Sequence, residues 1–178
     1  MEKFDLNLIS QEVDNFKLKK VNYEYLEHFY QYSLNKDLYR YLEFDPFTNL
    51  EECEKYILKL INRIKSGQAD YRFIFKENIL VGLFGFHNYD KKRNSVEYGY
   101  GVSPEFQNQG IFKIVTKFFL KELFSKTTIH RIFAITSVEN EASKRSLESV
   151  GFNYEGCMRD YYLVKDKYVD ANIYGIVN

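Results

Sequence analysis

Apolar side chains fall on alternate positions between Ser95 and Val102, at Val96, Tyr98, Tyr100 and Val102, and an apolar-rich run follows from Ile111 to Phe124. The first pattern predicts a half-buried strand and the second a helix. The polar turn Gln107-Asn108-Gln109-Gly110 joins them. Upstream, residues 16–19 read as a short strand and 21–41 as one or two tyrosine-rich helices ending near Asp45-Pro46. Thr48, with Glu51 three residues on, has capping-box spacing, and Tyr56, Ile57, Leu60, Ile61 and Ile64 then recur on one face until Gly67, which predicts a helix. The runs 71–76 and 79–87 flank Glu77-Asn78 as a hairpin would. Downstream come a β-branched strand at 131–136, a helix at 141–150 closed by Gly151, and two final strands at 152–163 and 168–177.

Strand 95–102, helix 110–124 and strand 131–136 form a crossover of the length that parallel neighbours require. The hairpins make the remaining pairs antiparallel, so the sheet is mixed. The expected fold class is α/β with α+β character, a central sheet of about seven strands flanked by helices. A single domain over 1–178 is expected, since no repeat, low-complexity tract or Pro/Gly/Ser linker interrupts the chain. In open α/β sheets the ligand crevice lies at the C-terminal ends of the parallel strands. That edge carries both the Gln107–Gly110 turn and the segment from Ser137 to Ser143. A helix starting at Gly110 aims unpaired N–H groups and its positive dipole end at the turn, where an anion is the natural guest.

The chain has 178 residues, 45% of them hydrophobic and 18% aromatic, enough for a substantial core. Its 25 basic and 25 acidic residues cancel, which removes the basic excess that nucleic-acid binding needs. No apolar run approaches the roughly 20 residues that span a bilayer, and Met1-Glu2-Lys3-Phe4-Asp5 lacks a basic-then-apolar signal pattern. A cytoplasmic protein with neither a nucleic-acid nor a membrane partner is expected, as a monomer or homodimer. Cys53 and Cys157 are far apart with no neighbouring thiol or His pair, so neither a disulfide framework nor a metal site is expected. His28, His87 and His130 are scattered, and the sequence assigns none of them a role.

Taken together, Gln107-Asn108-Gln109-Gly110-Ile111-Phe112, His130-Arg131, Val138-Glu139-Asn140, Ser143, Gly151-Phe152, Glu155-Gly156, Arg159, Tyr168-Val169-Asp170 and Tyr174 resemble, in order, the GNAT superfamily of acetyl-coenzyme A-dependent N-acetyltransferases. Within it the chain looks like the branch of ribosomal-protein N-terminal acetyltransferases. Gln107 to Phe112 is similar to the superfamily's pyrophosphate turn, with Phe112 in place of a final Gly or Ala, as is frequent in that branch. The resemblance implies the GNAT fold, with splayed parallel strands at the cofactor cleft, and acetyl-CoA as cosubstrate with no metal.

The resemblance also implies roles. The backbone N–H groups of Gln109, Gly110, Ile111 and Phe112 would cradle the pyrophosphate, with Gln107 and Asn108 in the same turn. Lys113 would reach a phosphate, although Lys113, Lys117 and Lys121 also share the spacing of a solvated helical stripe. The pantetheine arm would lie along Tyr100, Gly101 and Val102, where a freed N–H would polarise the thioester carbonyl. Asn140 would bond the arm or cap the helix after it. Glu97 shares a strand face with Gly99 and Gly101 and is the candidate base, against a structural ion pair. Many superfamily members carry a Tyr seven residues after the Asn; here that position is Leu147, and Ser143 is the candidate donor to the departing thiolate, against ordinary helix-start chemistry.

The acceptor pocket is expected between the segment holding Tyr41, Phe44 and Phe47 and the face of Glu97 and Gly101. Gly101 stands where relatives often have Trp, which suggests a roomier pocket unless another aromatic fills it. The resemblance implies a primary amine as acceptor, either a protein N-terminus or a small molecule such as an amino sugar. A non-catalytic acetyl-CoA-binding sensor on the same fold is the alternative, and it would need neither Glu97 nor Ser143.

Overall fold

The computed structural model describes residues 9–178; the segment inspected for a targeting signal lies outside them. Eight strands form one sheet in the order β1-β2-β3-β4-β5-β6-β8-β7, where β1 is Glu12–Val13, β2 Phe16–Lys20, β3 Asp70–Lys76, β4 Ile79–Asp90, β5 Ser95–Val102, β6 Arg131–Ser137, β7 Asn153–Val164 and β8 Lys167–Val177. Among the described residues, only β5 and β6 pair in parallel; every other neighbouring pair is antiparallel. The seven strands read from the pattern are all present. The eighth, β1, spans two residues, too few for any alternation to announce it.

Helices cover both faces. On one lie α3, Ile111–Lys126, and α4, Glu141–Ser149. Val115, Phe119 and Leu123 of α3 and Leu147 of α4 meet Phe84, Phe86, Val96, Tyr98 and Ile132 in a core where each is at most 3% exposed. On the other face lie α1, Leu26–Ser33, and α2, Leu50–Lys65. Phe29, Cys53, Ile57 and Leu60 pack there against Tyr71, Phe73 and Phe75 of β3. The period-two alternation of β3 explains the division: its odd-numbered aromatics face α1 and α2 while Ile74 faces α3.

Two local readings are corrected. The span 21–41 holds only the eight residues of α1 as α-helix, with 3₁₀ turns at Tyr23–Tyr25 and Lys36–Tyr39. Asn22 and Asn35 cap those turns with their side chains and divide the run. The capping box of α2 is shifted one residue from Thr48 and Glu51. Asn49 is the cap, its Oδ1 accepting from Glu52 N at 3.0 Å. The Glu52 carboxylate reaches back to Thr48 N at 2.7 Å and Oγ1 at 3.1 Å, and Glu51 instead faces Lys55 one turn on. Asn caps as well as Thr, and the acidic residue three positions on returns to the N–H of the residue before the cap rather than to that of the cap itself.

Candidate active site

The cleft begins where the two parallel strands part. β5 pairs with β6 through Ser95–Arg131, Val96–Ile132 and Glu97–Phe133 and no further. Beyond that point β5 continues along β4 to Val102 and β6 along β8 to Ser137. A gap of about 430 Å³ opens between them, lined by Tyr100, Gly101, Val102, Gln107, Asn108, Gly110, Ile111, Phe112, Lys113, Asn140 and Ser143. Backbone groups of a strand that has lost a ladder neighbour are available to an extended ligand. Tyr41, expected at the acceptor pocket, also lines this gap. Gln109 does not: its side chain donates to the Glu105 carbonyl and accepts from Lys76 Nζ, each at 3.3 Å.

At one end of the gap the chain turns through left-handed conformations at Asn108, φ +61°, and Gly110, φ +76°. Asn tolerates this region and Gly adopts it without a Cβ penalty. Gly110 brings no capping side chain to α3, and the first turn of α3 has no acidic residue. The first-turn N–H groups therefore lack a side-chain acceptor, and the dipole is not neutralised there. Lys113 projects from the same turn, while Lys117 and Lys121 are exposed farther along. Gln107 Nε2 donates to the Val102 carbonyl at 3.2 Å, which ties the turn to the end of β5.

Midway along the gap, Asn140 Oδ1 accepts from Ser143 N at 3.0 Å and so caps α4. The Ser143 hydroxyl lies 2.8 Å from the Tyr100 hydroxyl, which also donates to the Ser143 carbonyl at 3.2 Å. The Tyr100 ring packs between Tyr98 and Phe112, with centroids at 5.4 and 4.3 Å. Burial pushes its phenol pKa well above the ordinary value, so Tyr100 keeps its proton and remains a donor. Leu147, seven residues after Asn140, is fully buried in the core. A phenol thus reaches Ser143 from β5, and sequence separation hides it: the two residues are 43 apart.

The other face of β5 looks toward α1 and α2. Glu97 lies directly across from His87 of β4 in the antiparallel register. Glu97 Oε2 accepts from Asn88 Nδ2 at 2.6 Å and sits 3.6 Å from His87 Nδ1. The Tyr71 ring stacks on the imidazole with centroids 6.1 Å apart. Burial, aided by the charge of Arg63, holds the His87 pKa below its ordinary value against the opposing pull of Glu97. A Cβ at residue 99 would lie 3.2 Å from His87 Nε2, and one at residue 101 would lie 3.0 Å from the Tyr32 hydroxyl. The room left at Gly101 is thus bounded by Tyr32. Burial, with the charges of Glu97 and Glu43 adding to it, raises the phenols of Tyr161 and Tyr162 of β7 above the ordinary value. Glu43 Oε1 accepts from Leu163 N at 3.0 Å, so the segment before α2 is tied to β7. Phe44 and Phe47 stack on each other and pack on Tyr39 and Tyr56, and Phe47 also meets Phe29.

The fold and cleft define an acyl-transfer scaffold, and comparison with known proteins gives its family. The acetyltransferase (GNAT) domain family matches residues 15–153, and the chain belongs to it. The uncharacterised N-acetyltransferase YoaA of Bacillus subtilis is 27% identical over 168 residues, 93% of this chain and 95% of YoaA. Spermidine N(1)-acetyltransferase of Vibrio cholerae is 24% identical over 139 residues, 77% of this chain and 78% of that protein. The solved structure of RimL, a ribosomal L7/L12 alpha-N-protein acetyltransferase in complex with coenzyme A, superposes with a TM-score of 0.88 at 25% identity, covering 94% of this chain and 97% of RimL. The chain is an N-acetyltransferase of this family, with relatives among ribosomal-protein and spermidine acetyltransferases. Among the described residues, no helix is long and apolar enough to cross a membrane.

Proposed function

We propose that this protein moves the acetyl group of acetyl-CoA to a primary amine by direct attack in a ternary complex. The observation that carries the proposal is the placement of two unlike chemical faces on one splayed strand. On the α3 side of β5, the left-handed turn and the start of α3 offer N–H groups to a pyrophosphate. The stretch 98–102, paired with β4 but without a neighbour on its β6 side, would run beside the pantetheine arm and supply an N–H to the developing oxyanion. The Ser143 hydroxyl, oriented by Tyr100, donates to the sulfur as the C–S bond breaks. On the opposite side, the Glu97–His87 face receives the amine. Amine nitrogen forms the new C–N bond, the coenzyme leaves as the thiol, and the surplus proton departs on the Glu97–His87 side.

The acceptor would approach on the face of β5 that carries Glu97, away from α3. The charges of Glu97 and of Glu43, which is tied to β7 through Leu163 N, suit an ammonium, whether of a protein N-terminus or of a small amine. RimL and the spermidine enzyme exemplify these two classes. Cys53 is buried in α2 and Cys157 is on β7, away from the gap, so the reaction runs without an acyl-cysteine. The test is coenzyme A release from acetyl-CoA with peptides bearing N-terminal Ser or Ala, with polyamines and with amino sugars. Release that depends on one amine class, with a singly acetylated product, supports the proposal. A protein that is thermally stabilised by acetyl-CoA yet acetylates none of them is a sensor instead.

A further inference from the structure

We infer that His87 Nε2 takes the proton from the attacking amine, and that Glu97 is the counter-charge that positions the imidazole. The inference rests on the acetyl-transfer reading above and assigns one step of it. The antiparallel register sets His87 and Glu97 opposite each other, on the face of β5 away from α3. Past this pair the β4–β5 ladder is interrupted by a bulge, and Asn88 adopts φ +55°. The bulge turns the Asn88 amide onto Glu97 Oε2, so that oxygen is engaged between Asn88 and His87. Bulges redirect side chains in this way beside functional sites.

The two imidazole nitrogens differ in surroundings. Nδ1 is buried with no hydrogen-bond partner among the described residues and faces the Glu97 carboxylate at 3.6 Å. Nε2 is aimed at Gly99, where a side chain would crowd it at 3.2 Å. Glycine there leaves out the Cβ that would crowd the nitrogen, beside the strand along which the thioester is proposed to lie. With hydrogen on Nδ1 toward Glu97, Nε2 presents its lone pair. As the C–N bond forms, the amine N–H bond breaks and its proton moves to Nε2, while the C–S bond breaks and the thiolate leaves beside the Ser143 hydroxyl and is protonated from solvent water. The imidazolium then carries both hydrogens, with Nδ1–H directed at the carboxylate, the arrangement by which a buried carboxylate supports a histidine base. The charged and titratable groups facing the imidazole are Glu97 from β5, Arg63 from α2 and Tyr71 from β3. Burial and Arg63 keep the resting imidazole neutral, the form a base requires.

The test compares His87→Gln, His87→Ala and Glu97→Gln in the full chain, with spermidine and a peptide bearing an N-terminal serine as probes. His87→Gln is expected to lower kcat about a hundredfold, with KM for acetyl-CoA and acetyl-CoA-induced thermal stabilisation kept. Added imidazole should restore part of the turnover of His87→Ala, which a purely structural histidine would not allow. Glu97→Gln should reduce kcat less and move the acid limb of the kcat/KM profile to lower pH, because the carboxylate raises the imidazole pKa. Full kcat in His87→Gln alongside a hundredfold loss in Glu97→Gln would make Glu97 the base. Loss of coenzyme binding in both His87 variants would make the residue structural and overturn the inference. A wild-type protein that acetylates none of the peptides, polyamines and amino sugars at any pH would take down the parent reading with it.

Discussion

The Tyr100 hydroxyl lies 2.8 Å from the Ser143 hydroxyl, joining the end of β5 that has parted from β6 to the first turn of α4. A phenol held protonated by burial reaches both the carbonyl and the hydroxyl oxygen of Ser143 and so fixes where the serine hydroxyl sits beside the gap. Tyr100→Phe keeps the ring between Tyr98 and Phe112 and removes only the hydroxyl. The expected loss in kcat is about tenfold, the scale of one hydrogen bond in a desolvated site, with KM for acetyl-CoA little changed. Ser143→Ala should cost a similar factor, and the double variant no more than the larger single effect, because the two act as one unit. Additive losses in steady-state kinetics would mean that Tyr100 and Ser143 work separately.

The left-handed turn gives a second prediction. Gly110 has φ +76°, which costs an L-residue about 1–2 kcal/mol, so Gly110→Ala strains the turn that presents N–H groups to the pyrophosphate. Coenzyme A affinity should fall about tenfold by titration calorimetry, the equivalent of that strain. Lys113→Ala should fall less, about two- to threefold, and the loss should shrink as salt is raised. Neither change should affect binding of a pantetheine fragment that lacks the pyrophosphate. Equal losses for coenzyme A and the fragment would place the pyrophosphate elsewhere.

Much of this cleft is legible in the chain because its parts are local. The strand, the Gln107–Gly110 turn and α3 follow one another, so period, glycine and helix start are read from consecutive residues. What the sequence hides depends on pairing between strands. His87 is one of three scattered histidines until the β4–β5 register sets it against Glu97. A hairpin drawn between 79–87 and 95–102 brings these two strand ends together, so the signal exists, but it becomes informative only when the alignment is carried through residue by residue. Tyr100 announces its parity but not its partner, because its hydroxyl meets a helix that another strand and helix separate from it in sequence. Phe44 and Phe47 illustrate a third limit. Their aromatic character points equally to a pocket wall and to the packed cluster with Tyr39 and Tyr56 that the fold builds from them.

His87 also sets a pH dependence of stability. Its folded-state pKa is lowered from the ordinary 6.5, first by burial, so on acidification the unfolded chain takes up the proton before the folded one. The stability associated with the neutral imidazole is fully present above about pH 6.5 and is lost as pH falls from there through the folded-state value. The melting temperature of the wild type should therefore drop more than that of His87→Gln between about pH 7.5 and 5.5, the window the lowered pKa defines. Other titrating groups are common to both proteins and cancel in the difference. Parallel melting curves across this range would show that the imidazole titrates alike in both states.

Gly101 tests the shape of the acceptor pocket. The residue shares the face of Glu97 and Gly99, and a Cβ there meets only the Tyr32 hydroxyl, at 3.0 Å. The tip of a tyrosine can shift by tenths of an ångström, so Gly101→Ala should leave turnover within about twofold, a small change at a site with one flexible neighbour. Gly101→Trp places an indole where Tyr32 now bounds the space, and the two rings cannot share it without narrowing the path to Glu97 and His87. Its kcat/KM should fall about tenfold or more for a branched or sugar amine and much less for a linear one, since a bulky group loses affinity where it is excluded. Acetyl-CoA binding should persist, because the cofactor gap lies on the α3 side of the strand. The measurement is kcat/KM across a series of amines of increasing width. A loss that does not grow with amine width would show that Gly101 does not set the dimensions of the acceptor pocket.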